Sequence, residues 1–456
     1  MSTLDRTDLA ITGRVATPED ADWDDARTAW NLYLDLQPAA VVFAEGADDI
    51  AKVVRFAAER GLKVNAQATG HGATSLAPLD DTIVIKTEPM RGIEIDPGAR
   101  VARVEAGVLA HELGRAAQAH GLCSPHGSAH DVGVVGYTLG GGWSWLVRRY
   151  GLACNHVKAI ELVTAAGEAR RVDAETDGDL FWALRGGGGG YAIVSAIELE
   201  LFPIADIYAG MIVLPAEVGA AGIRAFRDWS ETAPDEVTSI VRFLRPPDRP
   251  GVPEAIRDRP LLTIAAACIG TEAEGEARIA PLREIGEPIT DTFAQIPTEQ
   301  LSRIHMDPAE PVPGLGHHML LRDMPDDAID AFVGVADPGA GSPLVSAMIR
   351  AGGGALGRTP EDAGALAKLD AGFALHAVGL PATPEVADAI TAQLDRLEDA
   401  LQPWAAPGAF FNMAERPAPL EDILPADVCA RLAEVKRRWD PDDLIRANHE
   451  LSLTPV

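Results

Sequence analysis

Apolar and polar positions recur with two different periods along the first two hundred residues. Short apolar runs at 39–43, 63–67 and 82–86 read as buried strands. Between the first two, residues 47–60 place Ile50, Val53, Val54, Ala57 and Ala58 on one helical face, and Gly61 supplies a left-handed stop. Residues 93–96 and 101–105 form a strand pair ahead of a helix near 109–120. A glycine-rich stretch at 133–142 leads to a strand at 159–164, a turn at Gly167, a helix at 179–184 and a strand at 193–202. That last strand aligns Ile197, Leu199 and Leu201 on one side.

From residue 205 the texture changes. Apolar runs at 208–214, 261–269 and 373–378 predict sheet strands. Helix patterns occupy 218–232, 272–286, 325–335 and 384–401, with proline-rich loops at 245–253 and 308–313. A tail from about 410 carries one further helix, 425–438. The expectation is an α+β chain divided at 1–204, 205–409 and 410–456, with an antiparallel sheet flanked by helices in the middle part.

A length of 456 residues exceeds what one hydrophobic core usually serves, and 47% hydrophobic with 23% charged residues suits a folded soluble protein. The formal charge of −29 disfavours nucleic acid and anionic membrane surfaces as partners. The opening MSTLDRTDLAITGRV has neither a leader pattern nor a spanning segment, and four scattered cysteines (Cys123, Cys154, Cys268, Cys429) fit reduced thiols better than disulfides or a zinc site. A cytoplasmic protein, monomer or homodimer, is expected.

Three glycine clusters carry the chemistry. Ala68-Thr69-Gly70-His71-Gly72-Ala73-Thr74 follows a strand directly, and its small residues let backbone N–H groups approach a phosphate. The stretch GVVGYTLGGGWSW has five glycines within ten residues, Gly133 to Gly142, which packing alone does not explain. It lacks the third glycine of a Rossmann fingerprint, because Trp143 follows Gly142. The third cluster, Arg185 to Tyr191, is a glycine run before a strand; alone it is also readable as a flexible turn.

In this order, the His71 loop, GVVGYTLGGGWSWLVRRYGL and FWALRGGGGGYAIVSAIELEL, with RWDP and IRANH near the end, resemble the vanillyl-alcohol oxidase superfamily, with its PCMH-type FAD-binding domain of two subdomains, and within it the berberine-bridge-enzyme-like bacterial oxidases. The resemblance implies that FAD is attached through His71. It implies further cofactor contacts from Gln67, Ala68, Thr69, Gly70, Gly72, Ala73, Ser128, Val132, Gly133, Gly136, Tyr137, Gly140, Gly141, Ile193, Val194 and Asn448. The tail is expected to return to the FAD domain. A second, cysteinyl attachment in relatives uses a G-x-C-x-x-V-G segment. Here that segment reads Gly127 to Gly133 with Ala129 at the thiol position, so a single covalent link is expected. Val132 matches the position where a small side chain accompanies oxygen access, favouring an oxidase that turns O2 into H2O2.

The chain departs from the family pattern at several places. Gln67 stands where arginine is common, Asn155-His156 replaces Asp-Asn, and Gly190-Tyr191-Ala192 replaces Asn-Phe-Gly. The tyrosine base of the family's Y-x-N segment is Phe410 in Phe410-Phe411-Asn412, and all five tyrosines lie at or before residue 208. Candidate replacements are His449, Tyr137 and His130, with His317 and His318 in a glycine-flanked loop. An amine loses hydride from its neutral form without a base, whereas an alcohol requires one, so the small organic substrate is read as an amine or a secondary alcohol. A dehydrogenase, a redox-neutral cyclase or dehydratase, and a non-catalytic flavin-binding protein remain as alternatives. No metal site is expected.

Overall fold

The computed structural model describes residues 9–76, 78–249 and 252–453. Most of the opening segment read for a leader, and Pro250 and Gly251 of the first proline-rich loop, lie outside them.

Three sheets organise the described residues. In the first, the strands run in the order Arg14–Ala16, Ala40–Phe43, Thr82–Lys86 and Lys63–Gln67, the last three parallel. The helix Ala47–Arg60 lays Ile50, Val53, Val54 and Ala57 on this sheet and ends at Gly61, with φ +66°. The Leu62 N–H then bonds the Ala57 carbonyl at 3.0 Å, satisfying a carbonyl the helix leaves unpaired. The second sheet is antiparallel throughout, ordered Ile93–Asp96, Val101–Glu105, Ile193–Glu200, Val157–Val163 and Ala169–Val172.

The third sheet is the large one. Its main path is Thr290–Asp291, Asp206–Pro215, Leu261–Cys268, Val237–Leu244, Ser346–Ala351, Phe373–Gly379 and Leu315–Leu321, all antiparallel. The helices Gly219–Thr232, Asp326–Ala336 and Pro384–Leu401 cover one face through Phe226, Phe332, Ile390 and Leu394. The other face looks back toward the glycine clusters.

Three strands of this sheet, Val237–Leu244, Leu315–Leu321 and Ser346–Ala351, do not stand out in the sequence pattern. Each carries arginine or histidine among its apolar residues, which breaks the alternation a half-buried strand normally shows. His317 and His318 accordingly sit in a strand, not in the loop expected for them.

The tail packs against the first sheet. Arg446 N–H donates to the Val64 carbonyl at 2.8 Å and Asn65 Nδ2 donates to the Arg446 carbonyl at 3.0 Å. No helix among the described residues is long and apolar enough to cross a membrane.

Candidate active site

A cleft of about 1110 Å³ runs from the His71 loop, past the 127–143 segment, to the open face of the large sheet. The strand Lys63–Gln67 delivers the loop at its entrance. Gly70 has φ +86°, and a β-carbon there would strike Ala29 and the Gln67 amide, so only glycine makes this turn. The Trp30 ring stacks on His71 at 4.2 Å between centroids. His71 Nδ1 bonds the Thr69 hydroxyl at 2.8 Å, while its Nε2 stands 3.6 Å from Asp131 Oδ1. Trp30 Nε1 donates to the other oxygen of Asp131. Burial opposes the charge on Asp131, but the His71 and Trp30 contacts prevail and hold its carboxyl below the usual range. Asn448 Nδ2 reaches the Gly72 carbonyl from the tail.

The middle of the cleft is backbone. A β-carbon on Gly133 would meet the Ala68 methyl, so the two glycine segments approach as closely as their atoms permit. The Gly142 N–H donates to Asn412 Oδ1 at 2.8 Å, which ties the tail to the second cluster.

The far wall is the sheet. Arg242, Met348, His376 and His318 are directly paired across four adjacent strands and share its open face. His376 Nε2 bonds Glu415 Oε1 at 2.9 Å; both side chains line the cleft. Arg242 donates to the His305 carbonyl at 2.7 Å, and His305 Nδ1 bonds Asp307 at 2.8 Å. Burial pulls Arg242 down to about 10 and His305 to about 4, leaving that imidazole neutral. Burial opposes the Asp307 charge as well, yet His305 and Arg242 keep its carboxyl below the usual range.

Of the residues expected to contact a cofactor, all but Gly141 and Ile193 line this cleft. Gly141 faces Leu366 and Phe410, and Ile193 is in the core behind the first sheet, because successive strand residues point to opposite faces. Tyr137 and His449 line the cleft; His130 does not. The His130 carbonyl accepts from His111, whose ring its own ring faces at 5.6 Å, so it is withdrawn as a candidate base. His318 is fully committed, bonding the Leu375 carbonyl through Nδ1 at 2.6 Å and accepting the Phe410 N–H at Nε2. Burial lowers it to about 3. His317 stands beside Glu398, outside the cleft lining. Burial also lowers the pKa of His449, whose Nδ1 bonds the Ala418 carbonyl at 3.1 Å. Phe410 packs edge-on against Trp143, and no proton acceptor replaces the family tyrosine at that position.

Sequence reasoning missed Trp30, Asp131, Arg242, Arg350, His376 and Glu415. The signal for three of them was faint, since Arg242 and Arg350 lie on unrecognised strands and Glu415 lies far along the chain from His376 in the tail; for His376, a polar residue inside the apolar run 373–378 was the available clue. The departures at 155–156 are structural: Asn155 braces Gly364 and Leu366, and His156 bonds Glu200 and the Tyr150 carbonyl.

Comparison with known proteins matches residues 38–173 to an FAD binding domain. The (R)-6-hydroxynicotine oxidase of Paenarthrobacter nicotinovorans is 28% identical over 99% of both chains. The solved berberine-bridge-enzyme-like protein 1 of Physcomitrella patens shares the fold over 99% of each chain, with a TM-score of 0.87 at 19% identity. The chain is an FAD-binding oxidoreductase with the fold of the berberine-bridge-enzyme-like proteins. The glucooligosaccharide oxidase of Acremonium strictum, described with a 6-S-cysteinyl, 8α-N1-histidyl FAD, covers 97% of this chain at 22% identity and a TM-score of 0.80.

The residues that line the cleft of this oxidoreductase fit FAD. Gln67 Oε1, His71 Nε2, Thr74 Oγ1, the Tyr137 hydroxyl and Arg350 Nε are buried along the cleft without a hydrogen-bond partner among the described residues. Buried polar atoms are seldom left so, and an extended polar ligand between glycine-lined walls satisfies them. Against a second thiol link, all four cysteines are buried and none lines the cleft.

Proposed function

We propose that this enzyme oxidises a small secondary alcohol, with FAD held covalently through His71 and O2 as the final electron acceptor, released as hydrogen peroxide. Bound in the cleft, FAD supplies the two-electron acceptor. Residues 1–204 and 410–456 hold it, and residues 205–409 present the substrate wall. The four free cysteines suit a reducing compartment, and a cytoplasmic location is inferred from them.

One observation carries the reading of an alcohol. His376 stands on the cleft wall with Nε2 engaged by Glu415, the arrangement that fixes one tautomer and leaves Nδ1 with a lone pair. An alcohol must lose its hydroxyl proton as the C–H bond breaks, and His376 is placed to take it. Glu415 orients the ring and stabilises the imidazolium that results. An amine substrate leaves this pair without a task.

The attachment is tested by mass spectrometry. A His71 peptide carrying flavin is expected from the denatured protein, and His71→Ala is expected to abolish covalent flavin entirely while the folded variant still takes up FAD. Release of all flavin from the wild type on denaturation would refute the link. Oxygen use is tested by reducing the holoenzyme anaerobically and then admitting oxygen. Val132 lines the cleft, and Val132→Leu is expected to slow reoxidation; a wild type that reoxidises only with an added dye is a dehydrogenase.

A further inference from the structure

We propose that Arg350 is the anion anchor of the substrate pocket, so that the molecule oxidised is a hydroxy acid whose carboxylate pairs with this guanidinium. The inference rests on the flavin-cleft reading above and narrows its substrate class.

Arg350 belongs to the strand Ser346–Ala351. Ser346, Met348 and Arg350 face the cleft, while Ala347, Ile349 and Ala351 enter the helix-covered core. The residue is 8% exposed, yet its guanidinium makes no hydrogen bond and no ion pair with any described residue, and Nε is buried without a partner. Other buried arginines engage their terminal guanidinium nitrogens, although Arg148 and Arg185 likewise leave Nε without a partner. Arg148 donates to the Gly352 and Ala233 carbonyls, Arg185 to the Asp362 carbonyl, and Arg242 to that of His305. A buried cation without a counter-charge is costly and is retained where something else supplies the anion.

No carboxylate among the described residues fills that role. Asp307 is the acid whose field Arg350 feels, but it bonds His305 and stands 3.9 Å from Arg242. With Asp307 set against Arg242 and His305 neutral, one positive charge is left over, on Arg350. Glu415 is engaged by His376. Tyr137, which also interacts electrostatically with Arg350, offers a buried hydroxyl without a partner. Burial keeps this phenol protonated and therefore a donor. A planar fork of N–H donors beside a hydroxyl matches a carboxylate.

The position relative to His376 completes the argument. Arg350 pairs directly with Ala374, and Met348 with His376, so Arg350 and His376 are diagonal neighbours on one sheet face. A substrate with its carboxylate on Arg350 places a nearby hydroxyl beside His376. An ammonium group, by contrast, is repelled from this wall.

The test is a titration of the holoenzyme with benzoate and with its uncharged isostere benzamide, read by perturbation of flavin absorbance. Saturable binding of benzoate is expected, with benzamide roughly 10-fold weaker or worse. Arg350→Gln is expected to weaken benzoate roughly 10- to 100-fold and erase the preference, with partial recovery in Arg350→Lys. Equal binding of the two probes by the wild type overturns the proposal even if the glutamine variant fails to fold. A preference that survives in Arg350→Gln overturns it too, and assigns the guanidinium to the flavin itself. A colourless protein that takes up no FAD defeats the flavin-cleft reading, whereas a yellow holoenzyme indifferent to the probe's charge defeats only the anion anchor.

Discussion

His376→Ala slows anaerobic flavin reduction by roughly 10²- to 10⁴-fold, the range that a positioned general base contributes. The expectation follows from placement. His376 lies in the middle of the large sheet's open face, between His318 on one neighbouring strand and Met348 on the other. His318 has both ring nitrogens occupied by the backbone and is held neutral, so it has nothing to give a substrate. His376 has one nitrogen on Glu415 and the other without a hydrogen-bond partner among the described residues. Glu415→Gln is expected to lose less, because the amide still engages the ring while no longer stabilising the charged form. The kinetic signature separates this role from packing. Loss of a base lowers kcat with little change in KM, whereas a collapsed pocket raises KM as well. Stopped-flow reduction with an alcohol that reduces the wild type is the measurement, and His376→Gln, which keeps the side chain polar, is the control. Undiminished reduction in His376→Ala removes the base from the mechanism and returns the substrate to the amine class.

The cofactor half of the cleft was legible in the sequence because its chemistry is written in backbone. Gly70 and Gly133 are where they are because a side chain would collide with Gln67 and Ala29, or with Ala68, and such constraints survive as visible glycines. The helix Ala47–Arg60, which buries one regular face, and the strands 63–67 and 82–86, short runs of which the second is buried at every position, were equally plain. The substrate half was not. Arg242, Arg350 and His376 occupy alternate positions on strands whose open face lines a cleft, so polar residues fall where a core pattern expects apolar ones. Their meeting depends on register between strands more than a hundred residues apart, as in the pairing of Arg242 with Met348. Glu415 arrives from the tail, and nothing local announces that it will meet residue 376.

The largest expected loss of stability is at Lys436. Its ammonium sits 5% exposed at the end of the helix Ala426–Trp439 and donates to the carbonyls of Gly190 and Ile445 at 2.8 and 2.7 Å, and to Asp440 Oδ2 at 2.6 Å. Asp440, fully buried, accepts the Leu444 and Ile445 N–H groups, each at 2.8 Å. This knot binds three parts of the fold: the glycine run before the strand Ile193–Glu200, the last helix, and the tail that carries Asn448 to Gly72. Lys436→Met leaves the Asp440 carboxylate buried without its counter-charge, which costs about 3–5 kcal/mol, more than the attraction lost, because the solvation given up on folding is no longer compensated. Urea unfolding reads the loss. A further consequence is local: Asn448 loosens from the His71 loop, so FAD added to an apo-form Lys436→Met protein binds more weakly than to the wild type. Lys436→Met with Asp440→Leu recovers part of the stability by removing the stranded charge, but not all of it, since the carbonyls and N–H groups of residues 190, 444 and 445 still lack partners. If Lys436→Met unfolds at the wild-type urea concentration, the tail is held by its other contacts, among them those with Val64, Asn65 and Gly72, and the buried ion pair contributes nothing to closing the cleft.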